Sequence, residues 1–333
     1  MSLEVFDPEL VPQNQCLVAP WLLQVPPPVR SRDSLSRRGW LGATTGLALV
    51  AAGVSGACAL DPDEDHRTAD APSSALPEAA AAGHRTAWVF GSGGPRGFVH
   101  VGVLIGLAEL GLTPDLIVGA SVGALVGTLR AAKLSTRDIE ALALELEPWK
   151  LARVNVGGPE RLSGAPIAGF VRDQIGRRPL EKLPIAMACV AQRLSDGVVV
   201  AFNRGDAGLA VQAASAIEGQ FTPVRIRGQR YADADQRMPL PVRLARALGA
   251  TRVLAVDASA HEDRTPEGAQ RYRAGDLRKR ALTLPDAQQA DVLLHPEFGY
   301  WVSLTREFRE RAISAGYRAT LAAAERLKAL HAG

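Results

Sequence analysis

The sequence predicts an α/β fold in which a mainly parallel sheet is flanked by helices. Strands and helices alternate from residue 86 onward, the strands are short apolar runs, and 47% of the 333 residues are hydrophobic. Short apolar runs bounded by turn residues are typical of buried strands, and their alternation with amphipathic helices favours parallel pairing. The apolar fraction excludes a wholly disordered or fibrous chain.

The predicted elements follow one another in a regular order. Apolar runs predict strands at 87–90, 116–118, 186–192, 197–203 and 253–257, with a hairpin over 224–233. Helical spacing of apolar residues predicts helices at 99–110, 122–133, 136–147, 165–176, 207–216, 240–248 and 304–330. The charged segment 259–285 has no clear period, so we expect a surface loop or lid there.

The first 85 residues are predicted to lie outside this domain, which spans 86–330. The pair Arg37-Arg38 precedes an uncharged, mildly apolar stretch ending at Ala57, which is the order of parts in an export signal with a long n-region. The pair is similar to the twin-arginine type, and Cys58 stands where a lipoprotein is acylated. We expect a periplasmic protein or a lipoprotein anchored through Cys58, with a cytoplasmic protein as the alternative. Residues 58–85 are predicted to be a flexible linker.

Composition and cysteine spacing exclude several functional classes. The formal net charge is only +3 and basic residues are interspersed with acidic ones, so no nucleic-acid partner is expected. Cys16, Cys58 and Cys189 lack the spacing of a zinc site, and Cys189 lies in an apolar run typical of a core thiol. Because no acidic loop has calcium-binding spacing, we expect neither metal nor cofactor.

Gly119-Ala120-Ser121-Val122-Gly123 matches the G-x-S-x-G pattern of a nucleophile elbow. A predicted strand precedes it and a predicted helix follows it, which is the context that the pattern requires. Small residues flank the serine because a sharp strand-to-helix turn crowds its neighbours and exposes the hydroxyl. Ser121 is therefore the candidate nucleophile, and an ordinary turn is the alternative.

A glycine-rich loop, residues 91–97, stands between the first predicted strand and the first predicted helix. Glycine backbone at a helix start offers N–H groups to a developing oxyanion. A dinucleotide or phosphate loop is the alternative. It fits poorly, because the spacing is not G-x-G-x-x-G, no lysine is present, and Pro95 has no N–H to donate.

A serine nucleophile needs a base, and the histidines offer little. His100 is expected to pack within the first helix, and only His295 is a candidate among the rest. Asp233 ends a predicted strand. A carboxylate at a strand end near an exposed serine can accept the hydroxyl proton directly.

Taken together, these residues resemble the patatin-like phospholipase family, and in particular its small bacterial members. That family combines a G-G-x-R-G loop, a G-x-S-x-G elbow and a D-G-G or D-G-A motif, which fall here on 93–97, 119–123 and 233–235. The resemblance covers roughly 87–330. It implies a Ser–Asp dyad in which Ser121 attacks an ester carbonyl and Asp233 is the base. It further implies that the oxyanion is held by Gly93, Gly94 and Gly97.

The same resemblance implies a lipid or other acyl-ester substrate. The leading function is a serine acyl-ester hydrolase, that is, a phospholipase A or lipid acyl hydrolase in lipid catabolism or remodelling. An acyltransferase or thioesterase on the same dyad stays open. Candidates for contact with a membrane surface, with core packing as the alternative, are Trp149, Phe298, Tyr300 and Trp301.

Three residues depart from the family pattern. Ala234 and Asp235 occupy the two glycine places, and Glu218 stands where proline is usual. A second carboxylate facing the site would raise the pKa of one of the pair, but we expect Asp235 to point outward from a turn. These departures leave a third function open, a non-catalytic lipid-binding protein of the same fold.

Overall fold

A mixed β-sheet organises the computed structural model, which describes residues 64–75, 86–155 and 158–332. The strands of these residues are, in chain order, β1 (Asp65–His66), β2 (Thr86–Phe90), β3 (Leu116–Ala120), β4 (Arg153–Val154), β5 (Leu162–Ser163), β6 (Ala186–Arg193), β7 (Val199–Phe202), β8 (Val224–Ile226), β9 (Gln229–Asp233), β10 (Arg252–Val256) and β11 (Val292–Leu294). The helices are α1 (Phe98–Glu109), α2 (Val122–Ala131), α3 (Thr136–Glu145), α4 (Ala165–Ile175), α5 (Ala207–Ala214), α6 (Val242–Ala247), α7 (Arg273–Ala287), α8 (Arg306–Ala322) and α9 (Ala324–Ala332).

The main sheet has the order β1-β8-β9-β6-β3-β2-β10-β11, and β7 also pairs with β6. The five strands from β6 to β11 in this order are mutually parallel, whereas β7 and β9 run antiparallel to β6. Strands β4 and β5 form a separate two-stranded sheet. The prediction of a mainly parallel sheet flanked by helices is confirmed.

Both faces of the central strands are buried. In β2, Trp88 and Phe90 point into a core that includes side chains of α1, α2 and α8, while Ala87 and Val89 point into a second core that includes α6. Central parallel strands covered on both faces read as continuous apolar runs. This is why the run at β2 was visible in the sequence.

The structure corrects the predictions for two segments. The segment 304–330 was predicted to be one helix, but the helix is interrupted at Ala323. The Ala323 N–H donates to the carbonyl of Thr320, three residues earlier, which makes a tighter turn than the α-helical one. The segment 259–285, predicted to be a loop or lid, contains most of α7. Its apolar period was hidden because α7 exposes Leu277 and Leu284 and buries Asp286.

Part of the predicted linker is also corrected. Strand β1 lies within 58–85 and pairs in parallel with β8, and Ala71 is buried in the main core. The Asn203 side chain accepts from the N–H of Ala75 (3.0 Å) and donates to its carbonyl (2.6 Å). The composition of 58–85 indicated a linker. The contacts that hold this segment were not visible in it, because the partner residues lie more than a hundred positions away along the chain.

The predicted export signal over 1–57 and the predicted acylation site Cys58 lie outside the described residues. Within the described ranges, no helix has the length and apolar character needed to cross a bilayer.

Replacing Asn203 with alanine should loosen the attachment of residues 70–75 to the domain. Both hydrogen bonds to Ala75 disappear, so we expect the free energy of unfolding to fall by about 2 kcal/mol. Hydrogen exchange should become faster over 70–75 and stay unchanged in β6. Ser195→Ala, which removes one exposed hydrogen bond, is the control. Equal protection of 70–75 in Asn203→Ala and in the parent protein would contradict this assignment.

Candidate active site

Ser121 sits in a strained turn between β3 and α2. Its backbone has φ 55° and ψ −128°, a left-handed conformation that non-glycine residues seldom adopt and that functional sites retain when the surroundings enforce it. A Cβ on Gly119 would approach the Gly123 carbonyl oxygen to 2.4 Å, and one on Gly123 would approach the Phe90 carbonyl oxygen to 2.2 Å. Only glycine fits at these two positions, as the elbow pattern requires.

The end of α5 aligns the serine with Asp233. The Ser121 N–H donates to the Ala214 carbonyl (3.1 Å), and the Asp233 N–H donates to the Ala216 carbonyl (2.9 Å). Two carbonyls on one short segment therefore hold both predicted dyad residues. No sequence pattern predicts this link.

Asp233 is a buried carboxylate beside the serine. Its Oδ1 accepts from the Asp235 N–H (2.9 Å), while its Oδ2 is buried without a hydrogen-bond partner among the described residues. Burial and the negative charge of Asp235 raise the pKa of Asp233 to about 7, against the lowering effect of the adjacent Ser121 hydroxyl. Such a carboxylate can both take and return a proton near neutral pH.

The glycine-rich loop follows β2 directly. In the described part of the chain, nothing accepts a hydrogen bond from the N–H groups of Gly93 and Gly94. Gly94 has φ +52°, which favours glycine. Gly97 packs against Val122, the residue after the serine, because a Cβ there would come 2.2 Å from Val122 Cγ1. Two free N–H donors thus stand in the loop that packs on the serine turn.

Arg96 fastens this loop to the far side of the site. The guanidinium is buried, donates to the carbonyls of Ala258 (3.2 Å), Gly299 (3.0 Å) and Tyr300 (3.0 Å), and lies over the ring of Phe298. Burial lowers the pKa of Arg96 to about 10. The arginine of the G-G-x-R-G pattern therefore acts here as a structural anchor.

Comparisons with known proteins agree with this geometry. The family model described as "Patatin-like phospholipase" matches residues 88–246. That segment contains the loop, the elbow and Asp233. The chain contains a patatin-like phospholipase domain.

Named relatives extend the comparison. An uncharacterized NTE family protein of Mycobacterium tuberculosis is 33% identical over 181 residues, which are 54% of this chain and 50% of that protein. The Candida albicans protein named "Lysophospholipase NTE1" is 27% identical over 184 residues, covering 54% of this chain and 13% of that protein. The chain thus spans about half the length of its mycobacterial relatives.

A solved structure supports the fold. VipD from Legionella pneumophila aligns with a TM-score of 0.50 at 17% identity, covering 82% of this chain and 72% of that one. At this identity the likeness concerns the patatin fold alone.

Asp235 does not point outward from the patatin-like domain, contrary to the expectation from sequence. Lys279 on α7 donates to its Oδ1 (2.7 Å), and so does the hydroxyl of Ser92 in the glycine-rich loop. Burial acts to raise the pKa of Asp235, but Lys279 and Ser92 outweigh it and hold that pKa below its ordinary value. The second carboxylate of the site is therefore charged, and the part-buried Lys279 compensates it.

The other departures from the family pattern cause no backbone strain. Neither Ala234 nor Asp235 has a positive φ. A non-glycine residue at these two positions therefore does not have to adopt a left-handed backbone conformation. Ala234 is fully buried in a single turn of 3-10 helix. Glu218, which stands where proline is usual, accepts from the Gln192 side chain (3.0 Å).

The sequence reasoning missed Lys279 and Asp257. Asp257 directly follows β10, so the logic that singled out Asp233 would also have found it. Its Oδ1 accepts from the Ser259 N–H (2.9 Å), its Oδ2 has no partner in the described residues, and its charge helps to raise the pKa of Lys279. No such strand-end position points to Lys279, which lies within 259–285, the segment predicted to be a surface loop or lid.

Histidine and cysteine play other parts in this domain. His100 is buried against the Gly91 carbonyl (2.8 Å), and burial lowers its pKa to about 4. His295 contacts the Ser259 carbonyl (3.1 Å) and stacks on His261. No histidine is hydrogen bonded to Ser121 in the described ranges. Cys189 is a buried core thiol, as predicted, and burial raises its pKa to about 12.

The site predicts a pH dependence for the reaction of Ser121 with a fluorophosphonate. A protonated Asp233 cannot accept the serine proton, so the labelling rate should rise with pH through about 7. Asp235→Asn removes a like charge and should move the midpoint down by about one pH unit, whereas Lys279→Met removes a cation and should move it up by about as much.

Glu218→Gln is the matched control, because this carboxylate is not among the charges that act on Asp233. Its midpoint should equal that of the parent protein. Midpoints that do not move in opposite directions for Asp235→Asn and Lys279→Met would contradict the assignment.

Proposed function

We propose that this protein is a serine acyl-ester hydrolase that acts on lipids through Ser121 and Asp233. One observation carries the proposal: Ser121 is held in a strained turn beside a buried carboxylate whose Oδ2 has no other partner among the described residues. The family match supports a lipid ester as the substrate class. The relative named as a lysophospholipase favours lysophospholipids as the first substrates to test.

Acylation would begin when the Ser121 hydroxyl gives its proton to Asp233 and its oxygen bonds to the ester carbonyl carbon. The carbonyl oxygen becomes negatively charged and would accept from the N–H groups of Gly93 and Gly94. The carbon–oxygen bond to the alcohol then breaks. Asp233 returns its proton to the departing alkoxide, which leaves Ser121 acylated.

Deacylation would repeat these steps with water. A water molecule gives a proton to Asp233, and its oxygen bonds to the acyl carbon. The bond to Ser121 breaks, the serine oxygen recovers the proton from Asp233, and the fatty acid leaves. A base with a pKa of about 7 is suited to both directions of proton transfer.

Lys279 would keep this base usable. Without a compensating cation, two neighbouring carboxylates share a proton near neutral pH, and Asp233 would hold it. The ion pair between Lys279 and Asp235 reduces this repulsion while leaving Asp233 Oδ2 free. The replacement of glycine by Asp235 is therefore compatible with catalysis, which favours an enzyme over a non-catalytic member of the fold.

Release of fatty acid from lysophosphatidylcholine, and of p-nitrophenol from a soluble ester, tests the proposal. Ser121→Ala should lower kcat/KM at least about a thousandfold, and Asp233→Asn about a hundredfold or more. Ser259→Ala replaces another buried serine near the site and should retain activity. A parent protein that hydrolyses neither ester, or a Ser121→Ala variant with parental activity, would overturn the proposal.

A further inference from the structure

Helix α7 turns its acidic side chains toward the domain. Asp276 accepts from the hydroxyl of Tyr300 (2.6 Å), and the fully buried Asp286 pairs with Arg243 (2.9 Å). Lys279 points the same way, into the active site. Both acidic side chains of α7 are thus paired within the protein.

The outer side of α7 has the opposite character. Leu277 is 47% exposed and Leu284 is 40% exposed, one above the other two turns apart. Arg273, one turn before Leu277, and Arg278, the residue after it, are also exposed. Because both acids of α7 are turned inward, the helix itself adds no negative charge to this face.

Trp301 lies beside the start of the helix. Its side chain is 54% exposed, and its ring lies edge-on to that of Tyr272, the residue before α7. Of the four aromatic residues predicted as candidates for membrane contact, Phe298 is buried under Arg96 and Tyr300 is held by Asp276. Trp149 is 69% exposed, but it lies apart from α7, in the 3-10 turn after α3. We call Arg273, Leu277, Arg278, Leu284 and Trp301 the α7–Trp301 surface.

The positive charge is confined to the helix. In the turns before it, exposed Asp263 and Glu267 stand beside exposed Arg264 and Arg271, and Arg264 also pairs with exposed Glu297, so these turns add no net positive charge. A helix face that combines exposed leucines with arginines, next to an exposed tryptophan, is typical of a segment that lies in the interface of an anionic bilayer. The leucines enter the acyl boundary, and the arginines meet the headgroup phosphates.

We propose that the α7–Trp301 surface docks this protein on an anionic lipid bilayer. The inference deepens the proposed lipid hydrolase function and rests on it for its purpose. Lys279 joins the inner side of the same helix to Asp235, so a docked α7 lies between the bilayer and the active site. Lipid would then reach Ser121 without the whole enzyme having to leave the membrane.

The experiment measures co-sedimentation of the full chain carrying Ser121→Ala with vesicles of phosphatidylcholine plus phosphatidylglycerol, and with vesicles of phosphatidylcholine alone. Adding Arg278→Gln and Leu284→Ser should weaken partitioning onto the anionic vesicles about tenfold, because one cation near such a surface contributes about fivefold. Binding of the starting protein should also fall at high salt.

The matched control adds Arg137→Gln and Val198→Ser, which remove one exposed arginine on α3 and one exposed apolar side chain at the turn before β7. It should bind like the starting protein. Equal binding by Arg278→Gln/Leu284→Ser, equal loss in the control, or no binding to anionic vesicles at all would overturn the proposal. So would self-association that the same double variant abolishes, which would assign the surface to a second copy.

The two proposals can fail separately. Hydrolysis of a soluble ester by the chain with Ser121 intact tests the dyad and should not change in Arg278→Gln/Leu284→Ser. If the soluble ester is not hydrolysed but the double variant selectively loses vesicle binding, the hydrolase function fails and the docking surface stands. If the soluble ester is hydrolysed and the double variant binds vesicles as strongly as the starting protein, only the docking surface fails.

Discussion

Crowded backbone around Ser121 is the constraint on which the rest of the site depends. The serine can hold its strained conformation only because Gly119 and Gly123 let β3, α2 and the end of β2 approach one another without side chains between them. This close approach also brings the glycine-rich loop against Val122, next to Ser121. The Ala214 and Ala216 carbonyls then set the spacing between Ser121 and Asp233. Conformational strain at the serine is thus balanced by packing and hydrogen bonds from several segments that are distant in sequence.

Charge balance is the second requirement, and here α7 supplies what the rest of the domain lacks. Asp233, Asp235 and Asp257 lie close enough that each acts on the charge of Lys279. Lys279 favours ionisation of Asp235 and leaves Asp233 near its protonation midpoint at neutral pH, while the buried Arg96 also acts on Asp257. Helix α7, which the sequence pattern did not predict, therefore both shifts the pKa of Asp233 and presents the outward surface proposed to meet the membrane.

The features predicted from the sequence are those set by local pattern. Apolar runs located β2 and β3, and glycine spacing located the elbow and the loop, because steric limits there act within a few residues. Features set by distant contacts were missed or mistaken. Strand β1 pairs with β8, more than a hundred positions away in the chain. The ion pair with Lys279, which turns Asp235 inward, joins residues tens of positions apart. Helix α7 was missed because its polar side is the buried one, which inverts the pattern used to find helices.

The most direct test of this account is a crystal structure of the protein after reaction with a fluorophosphonate. We predict phosphorus bonded to Ser121 Oγ, with the phosphoryl oxygen within hydrogen-bond distance of the Gly93 and Gly94 N–H groups. The ion pair between Lys279 and Asp235 should remain, with Asp233 Oδ2 facing the modified serine. Phosphorus on another residue, or a phosphoryl oxygen directed away from the glycine-rich loop, would contradict the account.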